Sequence, residues 1–346
     1  MTKARDLSQT PNASLGFKNR IINGNMTISQ RTAGASVTVN SGVDAFPVDR
    51  FACSGHSADG VFTAQQSSVA PSGFTRSVIC TVTTADSSIG ATQRYFIEQK
   101  VEGFNTADFM WGTANAQTVT LSFWVRSSLT GTFGGSLVGG QYYPFSYVIN
   151  AANTWEYKTV TVAGSTSGTW DTTNGVGVEV LFSLGCGSSR KGTANAWTDS
   201  VFLAPTGSVD LIATNGATFY ITGVQLEKGS TATSFDYRPY GTELMLCQRY
   251  CQFNQSATGE AGSSTEGAFV VPFYVVMRAT PTMSLVVGTD RIDEFYAGRK
   301  TITSVGVVYG NSAAGTGVGI TLNSSGLTGN ALLGLFSGCL LFSAEL

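Results

Sequence analysis

The chain has 346 residues, 42% of them hydrophobic, so two domains of ordinary size with a sizeable core are affordable. Only 12% are charged, about half the usual ~25%, and the formal net charge is −2. No basic block could neutralise a run of phosphates, and no stretch of ~18 apolar residues occurs, so nucleic-acid binding and membrane insertion are not expected.

Glycine is abundant (41 residues), and Thr, Ser, Val and aromatics fill much of the rest, a mixture that suits short pleated strands joined by tight turns. Residues 1–17 are polar and contain Pro11, and are expected to form an extended arm. From Lys18 to Tyr240, strand-like runs alternate with Gly/Ser/Asn/Thr turns. Gln93–Glu102 places Tyr95, Ile97 and Val101 on one side and Arg94, Phe96, Glu98 and Lys100 on the other. Thr118–Ser127 places Leu121, Phe123 and Val125 against Ser122, Trp124 and Arg126. Trp155–Val162, Val176–Phe182 and Thr218–Leu226 behave alike. Glu227–Tyr240 reads as a strand-poor boundary. Thr242–Tyr250 has helical character, with Thr242 as N-cap and Leu244, Leu246, Cys247 and Cys251 near one face. Strands are expected again over Gly267–Val276, Thr282–Val287, Lys300–Tyr309 and Gly317–Leu322.

The expected fold is all-β: an antiparallel β-sandwich of the jelly-roll type (18–240), then a short helix leading a second, smaller β-sandwich domain (241–346). The six cysteines form no Cys-x-x-Cys doublet, and the lone His56 cannot complete a usual zinc site. No metal or cofactor is expected, and the thiols are expected free and reduced. No apolar signal core opens the chain, as expected of a protein made in a bacterial host cytoplasm.

Several segments carry a resemblance. KNRIINGNMTISQR (Lys18–Arg31), VDRF (Val48–Phe51), GVQLEKGSTATSFDYRPYGTELMLCQRY (Gly223–Tyr250) and MRATPTM (Met277–Met283) together resemble modules of phage and prophage tail-fibre proteins. The intervening SFWVRSS, ANTWEYKTVTV and FYITGVQLE segments are similar to jelly-roll carbohydrate-binding modules. The resemblance implies a virion structural protein, usually trimeric, whose outer domain meets a host surface. Such fibres usually carry a long anchor and shaft, whereas here the attachment arm is expected to be only the leading 17 residues. A short tail fibre, a collar component and a capsid-surface decoration all fit that expectation.

Sugar rings offer flat apolar faces rimmed by hydroxyls, so a site needs exposed aromatics beside polar groups. Trp124 with Arg126, Tyr220 with Gln225, and the loop aromatics Trp111, Tyr142, Tyr143, Trp170 and Trp197 are the candidates for host-surface polysaccharide. For each Trp on a strand the competing assignment is core or subunit contact. Asp236, Arg238 and Tyr240 flank Pro239 and are candidates for a domain or subunit junction. The low charge favours a closed oligomer, expected as a homotrimer with the Ala331–Phe342 segment, including Leu332, Leu333 and Leu335, near the threefold axis. Two other functions compete with glycan binding. One is an architectural decoration that binds only neighbouring virion subunits, through the arm. The other is a glycan depolymerase, which requires two carboxylates ~5 to 10 Å apart in a cleft. Glu98 with Glu179, and Glu156 with Glu227, are the carboxylate pairs on strands that offer themselves for that role and read as solvated surface; His56 reads as a solvated loop residue with no Ser-His-Asp partner set.

Overall fold

The computed structural model describes residues 17–42, 44–57, 59–286, 291–295, 297–309 and 317–346. All but the last residue of the expected arm, and position 287 of an expected strand, fall outside them.

Two six-stranded antiparallel sheets face each other. The first runs in the order Val37–Val39, Val61–Ser67, Ser77–Thr84, Thr218–Lys228, Val119–Ser127, Glu156–Val162. The second runs Ala45–Val48, Phe51–Gly55, Arg94–Glu102, Val176–Cys186, Gly131–Val138, Tyr142–Ile149. This is an antiparallel jelly-roll sandwich. Its cause is the alternation legible in the strands: Leu121, Phe123 and Val125 all point inward with no exposed surface. Phe123 meets Phe182 of the second sheet edge-to-face, with ring centroids 4.9 Å apart, and Tyr147 at 5.0 Å. Tyr95, Ile97 and Val101 fill the core from the strand that pairs with Val176–Cys186.

After the sandwich comes one helix, α1, spanning Tyr240–Gln248. It begins two residues earlier than expected, and Thr242 lies inside it. The reason is Pro239, whose extended backbone occupies the cap position and whose carbonyl accepts the Glu243 N–H at 3.1 Å. Cys247 and Tyr250 pack with Ile22 and Ile28 in a small core of their own, and Leu244 and Leu246 lie against it. The first described segment of the chain is thereby fastened to the helix.

The remaining strands form an all-β unit whose shape differs from the expected second sandwich. Ala257–Ala261, Glu266–Pro272, Gly317–Ser324, Gly298–Tyr309, Arg291–Glu294 and Leu332–Leu335 close into a six-stranded barrel. Closure occurs because Ala257–Ala261 pairs on one side with Glu266–Pro272 and on the other with Leu332–Leu335, which leaves no free edge. Gly259 permits it, since a Cβ there would sit 2.1 Å from the Ala268 carbonyl oxygen. A three-stranded sheet, Cys251–Phe253, Leu340–Ser343 and Thr282–Leu285, lies beside the barrel. The strand expected to reach Val276 stops at Pro272.

The sandwich and the barrel unit are joined by buried charge. Glu345 accepts from Arg31 at 3.0 Å and from Arg50, whose side chain is 2% exposed and whose guanidinium lies 3.4 Å from the Tyr250 ring centroid. Arg249 grips Glu102 with two parallel hydrogen bonds of 3.0 Å. Arg278 donates to the carbonyls of Asn174, Ala344 and Glu345.

Candidate functional site

On the outer face of the first sheet, Trp124 stands opposite Tyr157 on one neighbouring strand and Thr222 on the other. The Trp124 and Tyr157 rings are 5.4 Å apart and tilted by 49°. Beyond Thr222 the pairing is irregular up to Gln225, and Gly223 adopts φ +62°. A Cβ at that position would lie 2.7 Å from Phe74, so glycine is what allows Phe74 and Trp124 to approach over the strand. Phe74, Phe235 and Tyr237 form a second ring cluster, with centroid separations of 4.8 to 5.6 Å. The two clusters line an open groove of about 560 Å³, together with Thr233 and Ser234, which are exposed, and the buried Ser122. Tyr157 and Tyr237 are 44% and 55% exposed, so their rings are presented to solvent.

The groove wall that carries Phe235 and Tyr237 is held by one carboxylate. Glu227 accepts from the Thr233 N–H at 2.8 Å, from its hydroxyl at 2.7 Å and from the Gln225 amide at 2.8 Å. Gln225 is fully buried, and its carbonyl oxygen accepts the Asp236 N–H at 2.8 Å. It therefore shapes the groove from beneath and is no ligand contact. Two residues along the same face, the Arg126 guanidinium lies 5.0 Å over the Tyr220 ring, and Trp155 meets Tyr220 at 6.0 Å. Trp124, Arg126 and Tyr220 thus share one outward surface.

The loop aromatics behave differently. Trp111, Trp170 and Trp197 pack against one another at 4.8 to 5.5 Å, with Tyr143 5.0 Å from Trp197. Their indole N–H groups donate to the carbonyls of Gln117, Ser167 and Ala163. Trp111 and Tyr143 are 6% and 7% exposed. These four residues plug one end of the core, because loop rings of this size gain more from mutual burial than from standing singly in water.

The junction residues also separate. Asp236 accepts the backbone N–H groups of Lys18 and Asn19, and Arg238 pairs with Glu243 at 3.0 Å and donates to the Asn19 and Ile21 carbonyls. Both are clamps within the chain. Tyr240 is 63% exposed at the start of α1, whereas Leu333 and Leu335 fill the barrel interior and are unavailable to a partner. Leu332 points outward, 63% exposed, beside Val270 at 73%.

A second concavity, of about 430 Å³, lies on the outer face of the second sheet. Its floor is the outward row Arg94, Phe96, Glu98 and Lys100; Tyr142, Glu179 and Arg190 form walls, with Asp44 and His56 at the rim. Glu98 is 4% exposed and in hydrogen-bonding contact with Glu179, so the solvated reading of this pair is corrected. Burial, reinforced by the Glu98 carboxylate, pushes the Glu179 carboxyl up to about 9. One proton is therefore held between the two at neutral pH. His56 stacks on Phe96 at 5.7 Å, and burial together with Arg94 lowers its pKa. Glu156 and Glu227 show no such pairing: Glu156 accepts from Lys158 and the 150–151 turn, Glu227 from Thr233. Among the described residues no group of three or more His, Cys, Asp or Glu is arranged to hold a metal, and all six cysteines are buried thiols.

No protein-family model and no curated protein sequence matches the chain. Several solved structures are similar to part of it. A putative sugar-binding protein from Bacteroides thetaiotaomicron shares 13% identity, covering 61% of this chain and all of that one, with TM-score 0.36. The family 11 carbohydrate-binding module from Clostridium thermocellum shares 8%, covering 59% of this chain and all of that one, with TM-score 0.29. The enzymatically active domain of bacteriophage CBA120 tailspike protein 4 shares 12% over 61% of this chain, with TM-score 0.32, and the match spans 21% of the tailspike domain.

Proposed function

We propose that the chain is a fibre-type virion protein that binds host cell-surface glycan through the first-sheet groove, as one copy of a homotrimer. The observation that carries this reading is the open groove with Trp124 and Tyr157 on one side and Phe74 and Tyr237 on the other. Exposed rings suit the apolar face of a pyranose, and polar groups among the lining residues suit its rim. Each site is weak alone, and three copies engaging one surface raise the avidity through effective concentration. In this reading the chain binds rather than cleaves, and Glu98 and Glu179 line the second-sheet recess, apart from the groove. The polar segment 1–17 is the attachment to other virion proteins in this reading, which places the chain on the virion surface.

Trp124→Ala, read by titration against the glycan selected on an array, is expected to weaken binding about tenfold, the value of one good ring stack. Unchanged affinity in both Trp124→Ala and Tyr157→Ala would remove the groove from the argument. A monomer at micromolar concentration by light scattering would remove the trimer.

A second reading, architectural decoration of the capsid or collar, draws on the outward Leu332 and Val270 of the barrel wall, apolar surface suited to a neighbouring virion subunit. Cryo-electron microscopy of the particle separates the two: trimers projecting from the tail support the receptor reading, and copies studding the capsid support decoration.

A further inference from the structure

The second-sheet recess lies across the sandwich from the groove, and its chemistry is different. Three cationic side chains, Arg94, Lys100 and Arg190, face three carboxyls, Asp44, Glu98 and Glu179. Lys100 is committed to Glu98 at 3.2 Å, and Asp44 accepts the Ser54 hydroxyl. Neither Arg94 nor Arg190 enters a salt bridge among the described residues, and the Nε of Arg190 is buried without a hydrogen-bond partner. With one proton retained between Glu98 and Glu179, and His56 neutral, the recess holds one positive charge in excess. The planar guanidinium forks of Arg94 and Arg190, both lining the recess, match a carboxylate in geometry. Tyr142, partly exposed, lines the cavity beside Phe96 and gives a sugar ring an apolar face to rest on.

We propose that this recess is a second, independent sugar site that takes a pyranose bearing a carboxylate, received by Arg94 and Arg190 over the Phe96 floor. It differs from the groove in the class of ligand, an acidic sugar where the groove takes a neutral face. The two could therefore hold different residues of one heteropolymer on opposite sides of the module.

The test is calorimetric titration of the full chain with oligogalacturonate, with sialyllactose and with a neutral cello-oligosaccharide. Binding of either acidic ligand, weakened about tenfold or more in Arg190→Ala and in Arg94→Ala, is expected. Which of the two binds distinguishes a uronate from a sialate source. Arg190→Lys, which keeps the charge and loses the fork, is expected to fall between wild type and Arg190→Ala. Trp124→Ala should leave acidic-sugar affinity unchanged, so failure of the groove and failure of the recess are read separately. Acidic-sugar affinity is also expected to fall as pH rises through about 9, when the shared proton leaves and the positive excess with it. The proposal is overturned by unchanged acidic-sugar affinity in both arginine variants, or by no heat with either acidic sugar at millimolar concentration.

Discussion

Replacing Glu345 by Ala is expected to lower the unfolding free energy by about 3 to 5 kcal/mol, the usual cost of stripping one partner from a buried ion pair. The magnitude follows from what is left behind. Arg50 is almost fully enclosed, stacked on Tyr250, and Glu345 is its carboxylate partner; Arg31 would lose the same partner. Burial opposes the charge of Arg31, and Glu345 is among the groups that hold its pKa up. Arg31 would keep only Asp49 nearby, and Arg50 would lose its salt-bridge partner in a low-dielectric junction. Chemical denaturation followed by tryptophan fluorescence measures the change. A loss under 1 kcal/mol, the range of exposed pairs, would show that water reaches the junction and that the clamp is ornamental.

Stability is also expected to fall as pH rises, an inversion of ordinary acid denaturation, and Glu179→Gln is expected to remove the slope. The Glu179 carboxyl titrates near 9 in the folded chain and near the usual 4.5 when unfolded. Between those values the unfolded chain binds fewer protons than the folded one, so stability present below about pH 4.5 declines with pH up to about 9. The maximum slope for one proton is about 1.4 kcal/mol per pH unit. An amide at 179 supplies the hydrogen bond that the protonated carboxyl gives Glu98, without any charge to lose. Denaturant midpoints of both proteins across pH 5 to 9 decide the matter. Parallel curves would mean that the two carboxyls separate in solution and titrate normally.

Much of the sandwich was legible because its information is local. Leu121, Phe123 and Val125 alternate with Ser122, Trp124 and Arg126 on a single strand, and such a period needs no knowledge of the partner strand. The row Arg94, Phe96, Glu98 and Lys100 was legible in the same way, as one face of a strand. What could not be read was the cavity it floors. Glu179 reaches Glu98 only because Val176–Cys186 pairs with Arg94–Glu102 in a particular register, with Leu181 opposite Glu98.

The groove was half-legible for the same reason. Trp124 announced itself on its strand. Phe74, Tyr157, Phe235 and Tyr237 come from three other segments; Tyr157 lay on a legible strand, and Phe235 and Tyr237 showed only as the alternate aromatics of SFDY in the boundary stretch. The tryptophans at 111, 170 and 197 meet one another, Trp111 buried and the other two partly so, because loop position says nothing about whether three loops meet. The barrel was missed because Leu332–Leu335 must find both Ala257–Ala261 and Arg291–Glu294, and closure is a property of strand ends rather than of any strand.

The strand Thr218–Lys228 sits in the middle of the first sheet, between Ser77–Thr84 and Val119–Ser127. During folding this order becomes a matter of time. Both neighbours must wait, edges unpaired, for a partner that lies more than ninety residues from the nearer of them in the chain. Non-local pairing of this kind puts folding in the millisecond-to-second range or slower, and exposes sticky intermediates meanwhile. The yield of folded chain therefore depends on how well the chaperones of the cell that makes it shield those intermediates.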